Sequence, residues 1–219
     1  MRLSEFSLFI FDMDGTLTTD PSSWEHVHDR LRIDNHNNFN LYKKGFISYR
    51  DFFISDIKAW LSRYPRIRKK DVESILSEIR LRPGLKDLIQ LLDDEGIIKV
   101  IVSGGISWLA DRIIAEAYFD DNYSNSIYTD DRGVIVPDGN VMVDPMHKDM
   151  IVRMIQKKYG ISKNQTVSVG DEYENGTIHR CSAVSVVIKN HHYGTQRGDI
   201  FINGENLYEI AESIESYKQ

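Results

Sequence analysis

The chain has 219 residues, enough for one large domain or for a core with a smaller domain inserted in it. At 41% apolar and 27% charged residues, its composition is globular, neither disordered nor fibrous. A net charge of -6 argues against a nucleic-acid-tracking surface, which is normally basic. It leaves room for a local basic pocket that holds a small anion.

The single cysteine, Cys181, has no intrachain partner, so a reducing, cytoplasmic setting is expected. Its thiol reads as a small buried apolar group and not as a nucleophile. The opening stretch MRLSEFSLFIFDMD carries one arginine and a short apolar run that ends in acids, unlike a signal peptide. No run approaches the roughly 18 apolar residues of a membrane span. The expectation is a soluble, unanchored monomer or homodimer, with no nucleic-acid and no membrane partner.

Short apolar runs buried on both faces predict parallel strands. In chain order they are Leu8 to Phe11, Ile98 to Val102, Thr166 to Val169, Val184 to Ile188 and Ile200 to Ile202. Helical patterns lie between them: Gly84 to Glu95, Ser107 to Tyr118, Lys148 to Tyr159, Gly176 to Cys181 and Asn206 to Tyr217. Pro83 suits a first helical turn, and Gly96 and Gly160 suit helix C-termini. The alternation predicts an α/β fold, a Rossmann-like doubly wound parallel sheet.

Two stretches interrupt the rhythm. From Thr19 to Leu81 the pattern is helical, with Phe52, Phe53, Ile57, Trp60 and Leu61 on one face and Val72, Ile75, Leu76 and Ile79 on another. Residues 19–81 are therefore expected to form a small helical cap inserted in a core of residues 1–18 and 82–219. From Tyr123 to Asp144, turn signals TDDRG and PDGN between β-prone stretches predict a β-hairpin flap.

In an open parallel sheet, ligands bind where the C-terminal strand ends meet. Asp12 and Asp14 follow the first strand, Ser103, Gly104 and Gly105 the second, and Asp171 the third; Lys148 opens a helix that can reach the same edge. A lysine, a serine hydroxyl and glycine-exposed amides make a phosphate cradle. Three carboxylates beside it would repel phosphate unless a hard divalent cation such as Mg²⁺ sat between them.

The motifs DMDGT at Asp12–Thr16, VSGG at Val102–Gly105, Lys148 and VGDEYEN at Val169–Asn175 resemble, in order and spacing, those of the haloacid dehalogenase-like superfamily. The helical insert and VSGG look most like its phosphoserine phosphatase-like branch. That resemblance implies Asp12 as nucleophile and Asp14 as general acid and then base. It implies Ser103 and Lys148 as holders of the phosphoryl group, and Mg²⁺ on Asp12, the carbonyl of Asp14, and Asp171. It further implies a phosphatase of a small phosphorylated metabolite, with a phosphomutase or a non-catalytic phospho-ligand-binding protein as alternatives. Many relatives end the fourth motif in asparagine and then aspartate; here Glu174 and Asn175 stand, so the second acid is absent unless Glu172 or Glu174 replaces it.

Substrate choice is expected from the cap, with Asp20, Trp24, Tyr42, Lys43, Arg50 and Asp56 as candidates. By resemblance, Asp20 suits a substrate amino group and Arg50 a carboxylate. His26, His28, His36, His191 and His192 match no zinc spacing and read as surface or packing residues. The run Arg66 to Lys70 reads as a solvated helix start.

Overall fold

The computed structural model describes residues 1–171, 177–189 and 196–217. Its centre is a seven-stranded sheet in the order β4-β3-β2-β1-β5-β6-β7. The strands are β1 Leu8–Phe11, β2 Ile98–Ile106, β3 Asp121–Thr129, β4 Ile135–Asn140, β5 Thr166–Gly170, β6 Val184–Ile188 and β7 Ile200–Ile202. Every neighbouring pair is parallel except β3 and β4. The sheet order reverses at β1, so the crevice between the ends of β1 and β5 is the topological switch point.

The apolar runs predict these strands because a residue in the middle of a parallel sheet is covered on both faces. On β1, Phe9 and Phe11 pack into one cluster with Leu88 and Leu92 of α5 (Leu85–Asp94), Ile113 of α6 (Ser107–Glu116) and Ile210 of α8 (Glu209–Ser216). Leu8 and Ile10 face the other way, onto Val152 and Ile155 of α7 (Lys148–Tyr159). This strict alternation fixes the register, since a slip of one residue would exchange the two faces.

Between β1 and α5 the chain forms four helices: α1 Ser23–Leu31, α2 His36–Lys43, α3 Tyr49–Arg63 and α4 Lys69–Leu76. Serine caps start two of them. Ser22 accepts from the Glu25 amide at α1, and Ser48 with Asp51 forms a reciprocal capping box at α3. Phe53, Ile57 and Trp60 of α3 are fully buried with Val27, Val72 and Leu76, in the same apolar cluster as one face of the sheet. Each such burial contributes about 1.5–3 kcal/mol relative to exposure, so the insert is held by packing.

Three local expectations need correction, and a fourth is placed more closely. Strand β2 continues through Ser103, Gly104 and Gly105 to Ile106, with a register irregularity against β3 between Val102 and Ile106. The two glycines form a bulge inside a strand and not a turn after it. The stretch expected as a β-hairpin forms one, β3 and β4 pairing antiparallel, and it makes the sheet edge, with β3 hydrogen-bonded to β2 and β4 packed against α3. Pro83 precedes Gly84, the cap of α5, and so lies ahead of the first turn. The Gly176 to Cys181 pattern yields a short 3-10 turn, Ile178–Cys181, its first residue lying outside the described ones.

Candidate active site

The end of β1 delivers two carboxylates into the switch-point crevice. Asp12 is buried, and its backbone amide donates to the Val169 carbonyl of β5 at 2.9 Å, so the strand pairing holds its main chain in place. Its Oδ1 accepts from the Met13 amide at 2.7 Å, and its Oδ2 accepts from Lys148 Nζ at 2.6 Å. Lys148 is likewise buried, at the first position of α7. A charged lysine so deep in the protein is stable only because it faces an opposite charge.

Beyond Asp12 the chain turns sharply. The Met13 carbonyl accepts from the amides of Thr16, Leu17 and Thr18, and Gly15 adopts a left-handed φ of 68°. A Cβ at Gly15 would lie 2.0 Å from Asp171 Oδ2, so only glycine lets the Asp171 carboxylate press against this turn. Arg82 Nη2 donates to the Gly15 carbonyl at 2.9 Å and fixes the turn from the other side.

Asp14 is set apart from Asp12 by its surroundings. Its Oδ2 accepts from Ser23 Oγ at 2.8 Å, whereas its Oδ1 is buried and has no hydrogen-bond partner among the described residues. Burial pushes its pKa up to about 7; the Ser23 bonds and Lys148 oppose that rise, and the charge of Asp12 adds to it. Two acids two residues apart therefore differ in surroundings, one set against a lysine and one whose pKa burial raises.

Ser103 is buried in the bulge of β2, and its Oγ accepts from the Gly105 amide at 3.0 Å. Cβ atoms at both glycines would collide with neighbours: at Gly104 with Pro145 Cγ at 2.4 Å, and at Gly105 with Asp14 Oδ2 at 2.4 Å and Ser23 Oγ at 2.7 Å. Gly105 thus lets the strand backbone lie directly against Asp14, and Gly104 lets it lie against Pro145. Asp12, Asp14, Ser103, Gly104, Gly105, Lys148 and Asp171 all belong to this one crevice.

Asp12 and Asp171, with the carbonyl of Asp14, could hold a hard divalent cation. Both carboxylates are buried on adjacent strand ends, and the approach of Asp171 to Gly15 brings it to the backbone beside Asp14. Among the described residues no three acidic, histidine or cysteine side chains form a protein-only cage. A cation here would keep oxygens from water or ligand, which suits Mg²⁺. Glu172, Glu174 and Asn175 of the fourth motif lie outside the described residues, as do His191 and His192.

The two predicted substrate contacts are engaged elsewhere. Asp20 Oδ2 lies 2.6 Å from His26 Nδ1, and its Oδ1 accepts from Thr19 Oγ1. Arg50 is turned to the sheet edge, where Nη2 meets Asp138 Oδ1 at 2.6 Å and Nη1 donates to the Gly139 carbonyl at 3.2 Å. Of the other candidates, Tyr42 donates to Asp144, Asp56 is buried in the insert, and Lys43 Nζ lies over the Phe39 ring. His26 and His28 are packed against acids, as a structural reading expects.

Sequence reasoning missed Ser23, Tyr49 and Asn125. Ser23, in the first turn of α1, also accepts from the Ile106 amide at 3.1 Å, and so ties Asp14 to β2. The Gly104 carbonyl accepts from Tyr49 Oη, Trp24 Nε1 and Asn125 Nδ2. No motif marks these residues, because each acts through a tertiary contact.

The family model described as haloacid dehalogenase-like hydrolase matches residues 9–174. The chain is 27% identical over 207 residues to a phosphoserine phosphatase of Idiomarina loihiensis, covering 93% of this chain and 91% of that one. A phosphoserine phosphatase of Polaromonas sp. is 29% identical over 181 residues, covering 78% and 74%. Among solved structures, a substrate-bound phosphoserine phosphatase complex superposes with a TM-score of 0.75 at 19% identity, covering 97% of this chain and 99% of that one. This last likeness is one of fold.

Proposed function

The chain belongs to the haloacid dehalogenase-like hydrolase family, and from that premise we propose a Mg²⁺-dependent phosphatase that hydrolyses a small phosphomonoester through a phosphoaspartate on Asp12. The observation that carries the reading is the division of labour between two neighbouring acids. Asp12 faces Lys148 Nζ at 2.6 Å, while Asp14, whose pKa burial pushes up to about 7, has a buried oxygen with no hydrogen-bond partner among the described residues.

In the proposed first step an Asp12 carboxylate oxygen forms a bond to phosphorus as the bond from phosphorus to the leaving oxygen breaks. Asp14 passes its proton to that leaving oxygen, so the alcohol departs neutral. In the second step Asp14, now ionised, takes a proton from water. The water oxygen bonds to phosphorus, and the bond to Asp12 breaks, releasing inorganic phosphate. Lys148 and Ser103, with the amide of Gly104, hold the phosphoryl oxygens, and the Gly105 amide orients the Ser103 hydroxyl. A Mg²⁺ ion on Asp12, Asp171 and the Asp14 carbonyl would supply positive charge against the phosphoryl oxygens.

Residues 19–81 serve in this reading as a cap over residues 1–18 and 82–219, and phosphoserine is the first substrate to test, because the relatives named above carry that activity in their names. The test is release of phosphate from p-nitrophenyl phosphate and from a panel of phosphoserine, sugar phosphates, nucleotides and phosphoglycolate, with and without Mg²⁺. Turnover should require the metal and vanish in Asp12→Asn. Absence of turnover across the panel would sink the reading.

A further inference from the structure

The carbonyl of Gly104 is held by three donors from three parts of the chain. Trp24 Nε1 of α1 lies at 3.1 Å, Tyr49 Oη of α3 at 3.0 Å and Asn125 Nδ2 of β3 at 3.0 Å. Two of the three come from the helical insert. Asn125 is itself fixed, its Oδ1 accepting from the Met142 and Val143 amides at 2.8 and 2.9 Å, which also settles which way its amide points. Trp24 is anchored by Phe53 and Trp60, with ring centroids 5.3 Å away in both cases.

A peptide group is planar and trans, so fixing the Gly104 carbonyl fixes the Gly105 N–H on the opposite side. That N–H donates to Ser103 Oγ at 3.0 Å, which leaves the Ser103 hydroxyl proton to be given outward. The peptide lies between two glycines, whose backbone torsions are the softest available. No side chain can restrain it, because a Cβ at either glycine would collide with Pro145 or Asp14. Its orientation therefore rests on hydrogen bonds, and the insert supplies two of them.

We propose that Trp24 and Tyr49 are positioning residues of the phosphate cradle: by holding the Gly104 carbonyl they fix the Gly104–Gly105 peptide, whose N–H keeps the Ser103 hydroxyl in the orientation that receives phosphoryl oxygens. The anion affinity of the core is thereby set from the cap. This inference rests on the phosphatase reading above and adds to it a coupling between cap and cradle.

The probe is inorganic phosphate, which has no organic portion for a cap to recognise. Its dissociation constant is measured by calorimetry with Mg²⁺ present for wild type, Tyr49→Phe and Trp24→Phe, beside KM and kcat for p-nitrophenyl phosphate. Tyr49→Phe keeps the ring and removes the hydroxyl, which also accepts from Asn125 Nδ2; Trp24→Phe removes the indole N–H together with part of the ring that packs on Phe53 and Trp60. Loss of one hydrogen bond to the carbonyl should weaken phosphate binding about three- to tenfold, with a parallel rise in KM. Should one variant fail to fold, the other carries the same comparison. Phosphate affinity within twofold of wild type in a folded variant overturns the inference, whether KM is unchanged or rises alone; a lone rise would mean contact with the substrate's organic part. Wild-type protein that binds no phosphate overturns the phosphatase reading with it, whereas wild-type binding equalled by the variants overturns this inference only.

Discussion

Lys148 Nζ donates to Asp12 Oδ2 at 2.6 Å, and both side chains are only 7% exposed. A buried pair of this kind is costly to break from one side, because the remaining charge has lost its counter-charge in a medium that solvates it poorly. Lys148→Met should lower stability in urea denaturation by about 3–5 kcal/mol without added metal. The double variant Asp12→Asn/Lys148→Met should recover part of that loss. If the double variant is no more stable than Lys148→Met, the pair is not what the lysine stabilises.

Asp14 tests the acid role through the leaving group. p-Nitrophenolate departs readily without a proton, whereas an alkoxide does not, so loss of a general acid should hurt alkyl phosphates more. Asp14→Asn should reduce kcat for an alkyl phosphomonoester by about 10²–10⁴-fold, with a distinctly smaller loss for p-nitrophenyl phosphate. Equal losses on the two substrates would assign Asp14 to positioning or binding instead of proton delivery.

The same contrast explains how much could be read in the sequence. Strands β1, β6 and β7 and helix α7 have the bounds that the apolar runs predict, because burial on both sheet faces and a strong helical period leave a local signature. Asp12, Asp14 and Asp171 were legible as residues that follow strands for the same reason. What could not be read is what depends on the chain meeting itself. Ser23 reaches Asp14 across 9 positions, Tyr49 reaches Gly104 across 55 and Asn125 reaches it across 21. The bulge that carries β2 through Ser103 to Ile106 is not legible either, since the apolar run ends at Val102 and only the structure puts Pro145 and Asp14 against the glycines.

Arg50 tests whether a role carried over by position holds in this chain. Its partner Asp138 sits on β4, and the two side chains are 52% and 51% exposed. An ion pair so open to water is worth about 0–1 kcal/mol. Arg50→Ala should therefore shift the urea midpoint only slightly and leave KM for the best phosphomonoester within about twofold, since a guanidinium held on the sheet edge is not needed for binding. A tenfold or greater rise in KM would mean that Arg50 leaves Asp138 to bind substrate.

Asp56 lies inside the helical insert, 1% exposed, with Oδ1 accepting from Asn35 Nδ2 at 2.6 Å and 3.4 Å from His28 Nε2. Burial pushes its pKa up to about 7, with the Asn35 bond opposing, while burial pushes His28 down to about 4. In the unfolded chain an aspartate ionises near 3.9, so between roughly pH 4 and 7 the folded protein holds the extra proton. The contribution of Asp56 to stability is then fully present below about pH 4 and is lost as pH rises through 7. His28 acts oppositely: its contribution is present above about pH 6.5 and is lost as pH falls through 4. Comparing wild type with Asp56→Asn removes the first effect and keeps the second in both proteins. The two should unfold at similar urea concentrations near pH 4, and the asparagine variant should gain about 1–3 kcal/mol over wild type by pH 8. A difference that stays constant across that range would show that Asp56 does not carry the proton, and that its buried charge is stabilised by Asn35 instead.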